Sequence, residues 1–416
     1  MPSWLSMSYR EPIAIERGEG SWVWDAEGVR YLDFFGGILS TPCGHSLPEV
    51  VEAVRHQAGR LLHASTLYLS EPAIELAELV AEASGIPDAK VFFTTSATEA
   101  NDAALLLATS YRRSNQILAL RNGYHGRSFS TVSVTGHRSW SPTSFSGLAV
   151  SYIHGGYRLR GPFAHLDDAA YTRACVEDLQ EVIATTTSGD VACLIAEPIQ
   201  GVGGVAVPPE GFLAAMADVL EPYGILMVVD EVQTGWGRTG TLWGYEHHGI
   251  VPDLMTFAKG VGNGLALGGV VGRADIVDNL TAQSISTFGG NPLAAAGALA
   301  NLRYLLGNDL AANAARLGER MGQHLDTISD HASVAEVRGR GLMWAIEMVV
   351  PGTLEPSPDL AEEIHERTRE RGLLIGRGGL YRNVLRIAPP LNATLAEIDE
   401  GSAIVVESVG ELDHDR

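Results

Sequence analysis

The sequence predicts an α/β fold in which a central sheet is covered by helices on both faces. Short, wholly apolar runs recur along the chain, as expected for strands buried on both faces, at residues 91–95, 117–120, 191–196, 225–229 and 254–258. Helical patterns lie between or beside these runs, at residues 71–83 and 99–113 and from Asn291-Pro292 onward. A smaller α+β domain is expected after about residue 305, where a long helix, short strands and a charged helix replace this alternation.

The length of the chain predicts two packed domains. With 416 residues and 45% apolar content, the chain buries a large core that is too big for one small domain. We expect a large domain at 63–304 and a small C-terminal α+β domain at 305–416. The N-terminal segment, 1–62, is expected to pack with the small domain, and its runs at 22–24 and 31–35 indicate a hairpin.

The acidic balance excludes two classes of partner. The chain carries 50 acidic and 29 basic side chains, for a formal net charge of −21, which repels nucleic-acid phosphates and anionic membranes. No apolar run approaches the ~20 residues of a membrane span, and residues 1–10 lack the layout of a signal peptide. Three scattered cysteines suit a reducing compartment. We therefore expect a cytoplasmic protein without nucleic-acid or membrane partners. No metal site is predicted either, since the pair His247-His248 lacks a third ligand.

Lysine is almost absent, which draws attention to the two that remain. Lys90 and Lys259 are the only lysines among 29 basic residues. Lys90 lies in a polar stretch, where chance explains it equally well. Lys259 ends an apolar run and opens a glycine-rich one, where an ammonium is costly to desolvate. A lysine with a depressed pKa is a nucleophile near neutral pH; the alternative is a surface lysine, which the apolar lead-in disfavours.

Four polar residues follow predicted strands directly. Ser96, Glu197, Asp230 and Lys259 each stand at the carboxyl end of one run. Because ligands of open α/β sheets bind at that edge, these four positions predict one shared cleft.

Two of these positions suggest a particular ligand chemistry. Ser96-Ala97-Thr98-Glu99 has the pattern of a capping box, which would leave the amides of Ala97 and Thr98 available to a phosphate, although most capping boxes bind nothing. Asp230 ends a strongly apolar strand and needs a cationic or donor partner. A protonated pyridine nitrogen is one such partner; a metal ion or a buried salt bridge is the other interpretation of the residue taken alone.

Seven runs occur in an order that resembles the class III aminotransferases, which depend on pyridoxal phosphate (PLP). They are Thr94-Thr95-Ser96-Ala97-Thr98-Glu99-Ala100-Asn101, Tyr124-His125-Gly126-Arg127, Ala196-Glu197-Pro198-Ile199-Gln200-Gly201, Val229-Asp230-Glu231-Val232-Gln233-Thr234-Gly235, Ala258-Lys259-Gly260, Ser286-Thr287-Phe288-Gly289-Gly290-Asn291-Pro292 and Leu385-Arg386-Ile387-Ala388-Pro389-Pro390. The resemblance covers nearly the whole chain. It implies fold type I: a large domain with a mixed, mostly parallel seven-stranded sheet flanked by helices, and a smaller α+β domain.

The resemblance also implies how the cofactor is held. Lys259 would form the Schiff base, Asp230 would pair with the ring nitrogen, and Tyr124 would stack on the ring. Gln233 would hydrogen-bond the ring hydroxyl. The remaining cofactor contacts that the resemblance implies are Ser96, Ala97, Thr98, His125, Val232 and Thr287.

Substrate contacts and assembly follow from the same resemblance. Arg386 would hold the substrate carboxylate, a task that suits a planar bidentate donor. Glu197 would support the site near the substrate. Thr287 would reach the phosphate of the neighbouring subunit, which implies a homodimer or a dimer of dimers.

The chain departs from the family pattern at two positions, and the second of them bears on the branch. Ala97 stands where many relatives have glycine, which is tolerable only if that position does not need a positive φ. Val202 replaces a glutamate that ornithine- and 4-aminobutyrate-type members use to mask the arginine. With Val202, Gly376-Arg377-Gly378 and Arg386-Ile387-Ala388-Pro389, the chain resembles most the alanine:glyoxylate and ω-amino acid branch, and the neighbouring phospho-lyases share much of this pattern.

The expected activity is a ping-pong amino transfer. The donor would be alanine, β-alanine or another ω-amino acid, and the acceptor glyoxylate, pyruvate or 2-oxoglutarate. One alternative is a PLP-dependent phospho-lyase acting on an amino-alcohol phosphate, and another is an inactive partner protein that carries the cofactor. A dinucleotide-binding module is disfavoured because the glycine-rich runs at 201–204 and 260–264 do not complete Gly-x-Gly-x-x-Gly at a helix start.

Overall fold

A computed structural model describes residues 4–5, 7–142 and 146–413. The strands are β1 Ile15–Glu19, β2 Trp22–Asp25, β3 Arg30–Asp33, β4 Ala89–Thr94, β5 Gln116–Leu120, β6 Ala149–Ile153, β7 Val191–Ala196, β8 Leu226–Asp230, β9 Leu254–Phe257, β10 Gly268–Arg273, β11 Val334–Arg340, β12 Met343–Met348, β13 Leu373–Leu374, β14 Gly376–Gly378 and β15 Val384–Ile387. The helices are α1 Gly36–Leu39, α2 Pro48–Ala58, α3 Glu71–Ala83, α4 Ala97–Arg112, α5 Phe129–Val134, α6 Asp168–Thr186, α7 Phe212–Leu220, α8 Ala274–Val277, α9 Pro292–Gly307, α10 Leu310–Asp326, α11 Pro358–Glu370 and α12 Leu395–Gly410.

The predicted α/β core is confirmed as a mixed sheet that is seven-stranded in the part of the chain the structure describes. Its strand order is β4-β10-β9-β8-β7-β5-β6. The strands β9, β8, β7, β5 and β6 pair in parallel, whereas β10 is antiparallel to both of its neighbours. Every residue of β7 and β8 is buried, which explains why both read as unbroken apolar runs. Because β4 is also antiparallel to β10, it ends at the same edge as the parallel strands.

Two further sheets lie outside this core. The predicted N-terminal hairpin is formed by β2 and β3, which pair antiparallel with Val23 opposite Tyr31. This sheet, in the order β1-β2-β3-β13, takes its last strand from the C-terminal part of the chain. The other sheet has the order β11-β12-β15-β14 and is packed against α10 and α11. It forms the smaller domain that the sequence predicted.

The predicted boundary between the large and small domains can be compared with the helices of the structure, whereas the outermost predicted ends cannot. The boundary between residues 304 and 305 lies inside α9, which continues to Gly307. The outer ends of the first and last predicted segments, residues 1–3 and 414–416, lie outside the described residues. Among the helices of the described ranges, none has the length and apolar character needed to cross a membrane.

Candidate active site

The four polar residues that follow predicted strands gather at one edge of the large sheet. Asp230 is the last residue of β8, Glu197 follows β7, and Lys259 follows β9 by two residues. Ser96 caps α4 after β4. Since these strands run in the same direction, their carboxyl ends meet, as the sequence predicted for a shared cleft.

Asp230 is the centre of a buried hydrogen-bond network. Its Oδ2 lies 2.8 Å from Nδ1 of His125 and accepts a bond of 2.8 Å from Nδ2 of Asn101. Its Oδ1 accepts from the amide of Val232 at 3.1 Å. A carboxylate offers about four acceptor positions, so Asp230 is fixed in orientation and still has capacity for another donor.

Glu197 fixes the backbone on both sides of the cleft. Its Oε1 accepts from the amide of Tyr124 at 2.9 Å, and its Oε2 accepts from the amide of Gly201 at 2.8 Å. Burial raises the pKa of Glu197 to about 7, and the negative charge of Asp230 acts in the same direction, against the attraction of His125.

Lys259 has an unusual backbone and an unusual acidity. Its φ is +45°, a left-handed conformation that residues other than glycine seldom adopt. Burial, and next the positive charge of Arg386, lower the pKa of the Lys259 ammonium to about 8, while Asp230 and Glu197 act in the opposite direction. The amine is therefore partly neutral near physiological pH, as the nucleophile hypothesis requires.

Arg386 is a buried cation without a carboxylate partner in the described chain. It lies on β15, and its Nη2 donates to Oε1 of Gln233 at 2.7 Å, while its Nε has no partner. Burial lowers the pKa of its guanidinium to about 10. The guanidinium carbon lies 5.3 Å from the centre of the Phe35 ring. Gln233 was expected to hydrogen-bond the ring hydroxyl of the cofactor. Its carbonyl oxygen accepts from Arg386, so its amide nitrogen is the atom left to make that bond.

A loop at 201–205 joins the cleft to the small domain. Arg338, on β11, donates to the carbonyls of Gly204 and Val205, and its other nitrogen pairs with the buried Glu347 at 2.8 Å. The carbonyl of Val202 accepts from the amide of Gly379 at 3.1 Å. Val202 therefore lies at the end of β14, the strand that pairs with β15, on which Arg386 lies.

The N-terminus of α4 offers free amides, with one correction to the predicted cap. The hydroxyl of Ser96 accepts from the amide of Glu99 at 3.2 Å, but the carboxylate of Glu99 accepts from Thr95 instead of closing the box on Ser96. Ala97 is absent from the positive-φ residues of the described chain, so alanine is tolerated there. The amides of Ala97 and Thr98 begin the helix and have no partner within the described residues.

Tyr124 and Thr287 have contrasting surroundings. The Tyr124 ring meets the edge of Trp140, with centroids 5.2 Å apart, and burial raises the pKa of its phenol. Thr287 is exposed, next to the buried Ser286, whose hydroxyl bonds the Glu99 carboxylate. The site of a single chain therefore includes Tyr124 but leaves Thr287 on the surface.

The family model described as aminotransferase class-III matches residues 6–409. The chain belongs to the class III aminotransferases. An alanine–glyoxylate aminotransferase 2 homologue of Arabidopsis thaliana is 41% identical over 400 residues, covering 94% of this chain and 81% of the relative. An acetylornithine aminotransferase of Caldanaerobacter subterraneus is 37% identical, covering 97% and 96%.

Solved transaminases share the fold. An (S)-enantioselective ω-transaminase of Thermomicrobium roseum superposes with a TM-score of 0.90 at 36% identity, covering 98% of this chain and 93% of that one. An ω-transaminase of Pseudomonas jessenii in complex with PMP superposes at 0.89 with 27% identity, covering 97% and 92%. This aminotransferase therefore has fold type I and uses PLP.

The residues of the cleft fit that cofactor. A pyridine aldehyde phosphate needs an amine that is partly neutral, a carboxylate for the ring nitrogen, an aromatic face and donors for the phosphate. Lys259, Asp230 and Tyr124 could provide the first three at one edge of the sheet, and the start of α4 has free amides at the positive end of a helix dipole that could bind the phosphate.

Asn101 is a residue of the site whose role the sequence alone did not predict. Asn101, on α4, donates to Asp230 and to the carbonyl of His125, both at 2.8 Å, and its Oδ1 accepts from Thr256 at 2.6 Å. A polar residue on the buried face of an apolar helix was the available signal. No cluster of three or more potential metal ligands occurs within the described ranges of the chain.

Proposed function

We propose that this aminotransferase moves the amino group of a carboxylate-bearing donor, of the alanine, β-alanine or other ω-amino acid type, to glyoxylate, pyruvate or 2-oxoglutarate. One observation carries the proposal. Arg386 is a buried cation whose side-chain hydrogen bond in the described chain goes to the neutral Gln233, while the negative charge of Glu197 acts on it without a salt bridge. Its charge is close enough to Lys259 to lower the pKa of that amine. A substrate carboxylate bound to Arg386 would thus present its amine near Lys259.

Each neighbouring residue has a distinct task in the proposed reaction. PLP supplies, when bound, an aldehyde that captures amines and a ring that accepts electrons. Lys259 would hold the cofactor through its amine, and once a donor amine has displaced it, its neutral Nζ would itself accept a proton from the substrate carbon. Asp230, oriented by His125 and Asn101, holds the ring nitrogen in its protonated form. Ala97 and Thr98 bind the phosphate through their amides.

Three further residues complete the proposed site. Ser96 starts the helix that carries the phosphate-binding amides, and Val232 fixes Asp230 through its own amide. Gln233 anchors Arg386 and turns its remaining amide to the ring hydroxyl. These assignments explain why the motifs carry polar residues at the ends of apolar strands.

Val202 supports a donor with one carboxylate. Glu197 acts on Arg386 through its charge, but no acidic side chain in the described chain forms a salt bridge with Arg386. The amide of Gly379, beside Arg386, donates to the carbonyl of Val202. The arginine therefore stays available at both stages of the reaction. Relatives named for alanine and glyoxylate, for acetylornithine and for 5-aminovalerate all act on amino acids, which agrees with a carboxylate-binding arginine.

A donor and acceptor panel on the holoenzyme tests this function. We expect turnover with alanine or β-alanine plus glyoxylate, and ω-amino acids with pyruvate or 2-oxoglutarate serve as the second set. Phosphoethanolamine without an acceptor is the control for the alternative reaction. Ammonia released from the phosphoester alone, with no keto product from any amino acid, would replace amino transfer by phospho-lyase activity.

Borohydride reduction locates the reactive amine. The chain has two lysines, so a reduced cofactor attached to a lysine side chain would appear on the peptide of Lys259 or that of Lys90. Lys90 is half exposed and pairs with Asp278. We expect the label on Lys259; a label on Lys90 would refute the role given to Lys259.

The working unit that we infer is a homodimer. Exposed apolar side chains cluster in the segment Leu67, Tyr68 and Leu69, which are 71%, 72% and 92% exposed. Phe288 is 59% exposed beside Thr287. A second copy that covers this surface would bring Thr287 to the neighbouring cofactor. Sedimentation of the holoenzyme at twice the monomer mass supports this assembly, and a stable monomer with full activity contradicts it.

A further inference from the structure

The backbone around Lys259 is held from behind by one buried side chain. Asn301 lies on α9, is fully buried, and donates through Nδ2 to the carbonyl of Gly260 at 2.8 Å and to that of Val261 at 3.0 Å. Both carbonyls belong to the single turn that Lys259 begins. Asn301 is thus the side chain that satisfies the backbone immediately after the amine-bearing residue.

The hydrogen bonds from Asn301 stabilise the conformation of the turn at Lys259, which an apolar side chain packed at the same position would not do. The left-handed backbone of Lys259 is strained, and such a conformation persists only where the surroundings determine it. The turn from Lys259 to Val261 ends after three residues, so no continuing helix donates to the carbonyls of Gly260 and Val261. Two buried carbonyls without donors would favour a rearranged turn.

The contact has a free-energy cost, which arises from the other polar atom of the Asn301 side chain. Oδ1 of Asn301 is buried and has no partner in the described chain. A leucine or valine would fill this position on the apolar face of α9 without leaving an unpaired oxygen. The two hydrogen bonds donated by the amide nitrogen therefore offset the free-energy penalty of burying Oδ1 without a partner.

We propose that Asn301 is a positioning residue that fixes the left-handed backbone of Lys259 and so keeps its amine inside the active site. The inference rests on the proposed role of Lys259. It adds that the α9 side chain, which touches neither cofactor nor substrate, controls the reactivity of that amine through two carbonyls.

The scarcity of lysine makes a direct test practical. Full-length protein freed of bound cofactor is pulsed with trace acetic anhydride across a range of pH, and the acetylated peptides of Lys259 and Lys90 are quantified by mass spectrometry. In the parent protein we expect Lys259 to be labelled with a midpoint near pH 8. Lys90, on the surface, is the internal standard in every sample.

The variant Asn301→Leu keeps the size of the side chain and removes both donors. We expect its Lys259 midpoint to move toward the ordinary lysine value of about 10.4, with the Lys90 profile unchanged. Leu305→Ala, a buried change one turn further along α9, is the matched control that loosens the helix without touching the turn. Should Asn301→Leu fail to fold, the smaller Asn301→Val removes the same two donors without introducing a charge near Lys259.

Two results would overturn the inference. One is a Lys259 midpoint that is the same in Asn301→Leu and in the parent protein. The other is an equal shift in Leu305→Ala, which would mean that general loosening of α9 is the cause. If borohydride places the cofactor on Lys259 while either result holds, the positioning role alone fails. A borohydride label on Lys90 overturns the role of Lys259 and this inference together.

Discussion

Replacing Arg386 by glutamine tests the carboxylate site most sharply. The substitution removes a buried positive charge and keeps a hydrogen-bonding group next to Gln233. Two effects follow from the structure. Donors that carry a carboxylate lose their charged partner, and the Lys259 ammonium loses the cation that helps to lower its pKa. The pKa of Lys259 should therefore rise in the variant.

The size of the first effect follows from the hydrogen bonds that are lost. A hydrogen bond to a charged group contributes about 1.5–3 kcal/mol, and about 1.4 kcal/mol is a factor of ten, so kcat/KM for alanine should fall by about 10- to 150-fold. An amine without a carboxylate, such as 1-phenylethylamine, makes no use of Arg386. Its reaction should change only through the acidity of Lys259, which is measured separately.

The donor half-reaction is the appropriate assay, because the 2-oxo acid also carries a carboxylate. Conversion of the bound cofactor to its aminated form is followed by absorbance after mixing with donor alone. Arg377→Gln is the matched control, since Arg377 lies on the neighbouring strand and pairs with Glu362. Equal losses for alanine and for 1-phenylethylamine in Arg386→Gln would refute a carboxylate-binding role.

Three further predictions concern acidity, the loop and donor choice. Because burial lowers the pKa of Lys259 to about 8, its neutral fraction grows as pH rises; capture of PLP by the cofactor-free protein should accelerate about tenfold from pH 7 to pH 9, and a flat stopped-flow profile would contradict this. Arg338→Met should lower the free energy of unfolding in urea by about 3–5 kcal/mol because it breaks a buried charge pair. The exposed ion pair between Arg320 and Asp399 should contribute much less, so Arg320→Met should lower the free energy of unfolding far less. Equal losses in the two variants would count against a stabilising role for the buried pair of Arg338. Val202→Glu should raise the KM for alanine by pairing with Arg386, and an unchanged KM would show that position 202 does not reach the arginine.

The sequence predicted the parts of the fold that depend on local pattern. Fully buried strands such as β7 and β8 read as continuous apolar runs, and the start of α9 at Asn291-Pro292 was evident because a capping asparagine and a proline have local causes. Strand β10 was not predicted, because its three glycines weaken the strand pattern. Ser70 directly precedes α3 but makes no capping hydrogen bond through its side chain, so a serine before a helix is not by itself evidence of a cap.

The candidate site divides in the same way. Glu197, Asp230 and Lys259 follow apolar runs, and their convergence results from strands that share one direction. Asn101 and Asn301 gave no such signal, because what makes them important is a partner more than 40 residues away or on another element. A buried amide on an apolar helix indicates that something is being held, but the sequence does not say what.

The near absence of lysine has a consequence for handling the protein. Lys90 lies at the amino end of β4, whereas the cleft lies at the carboxyl end of the same strand. A support bearing aldehyde or activated ester groups would therefore attach through side chains at Lys90 alone once the cofactor occupies Lys259. Molecules immobilised through Lys90 would present their substrate entrance away from the surface.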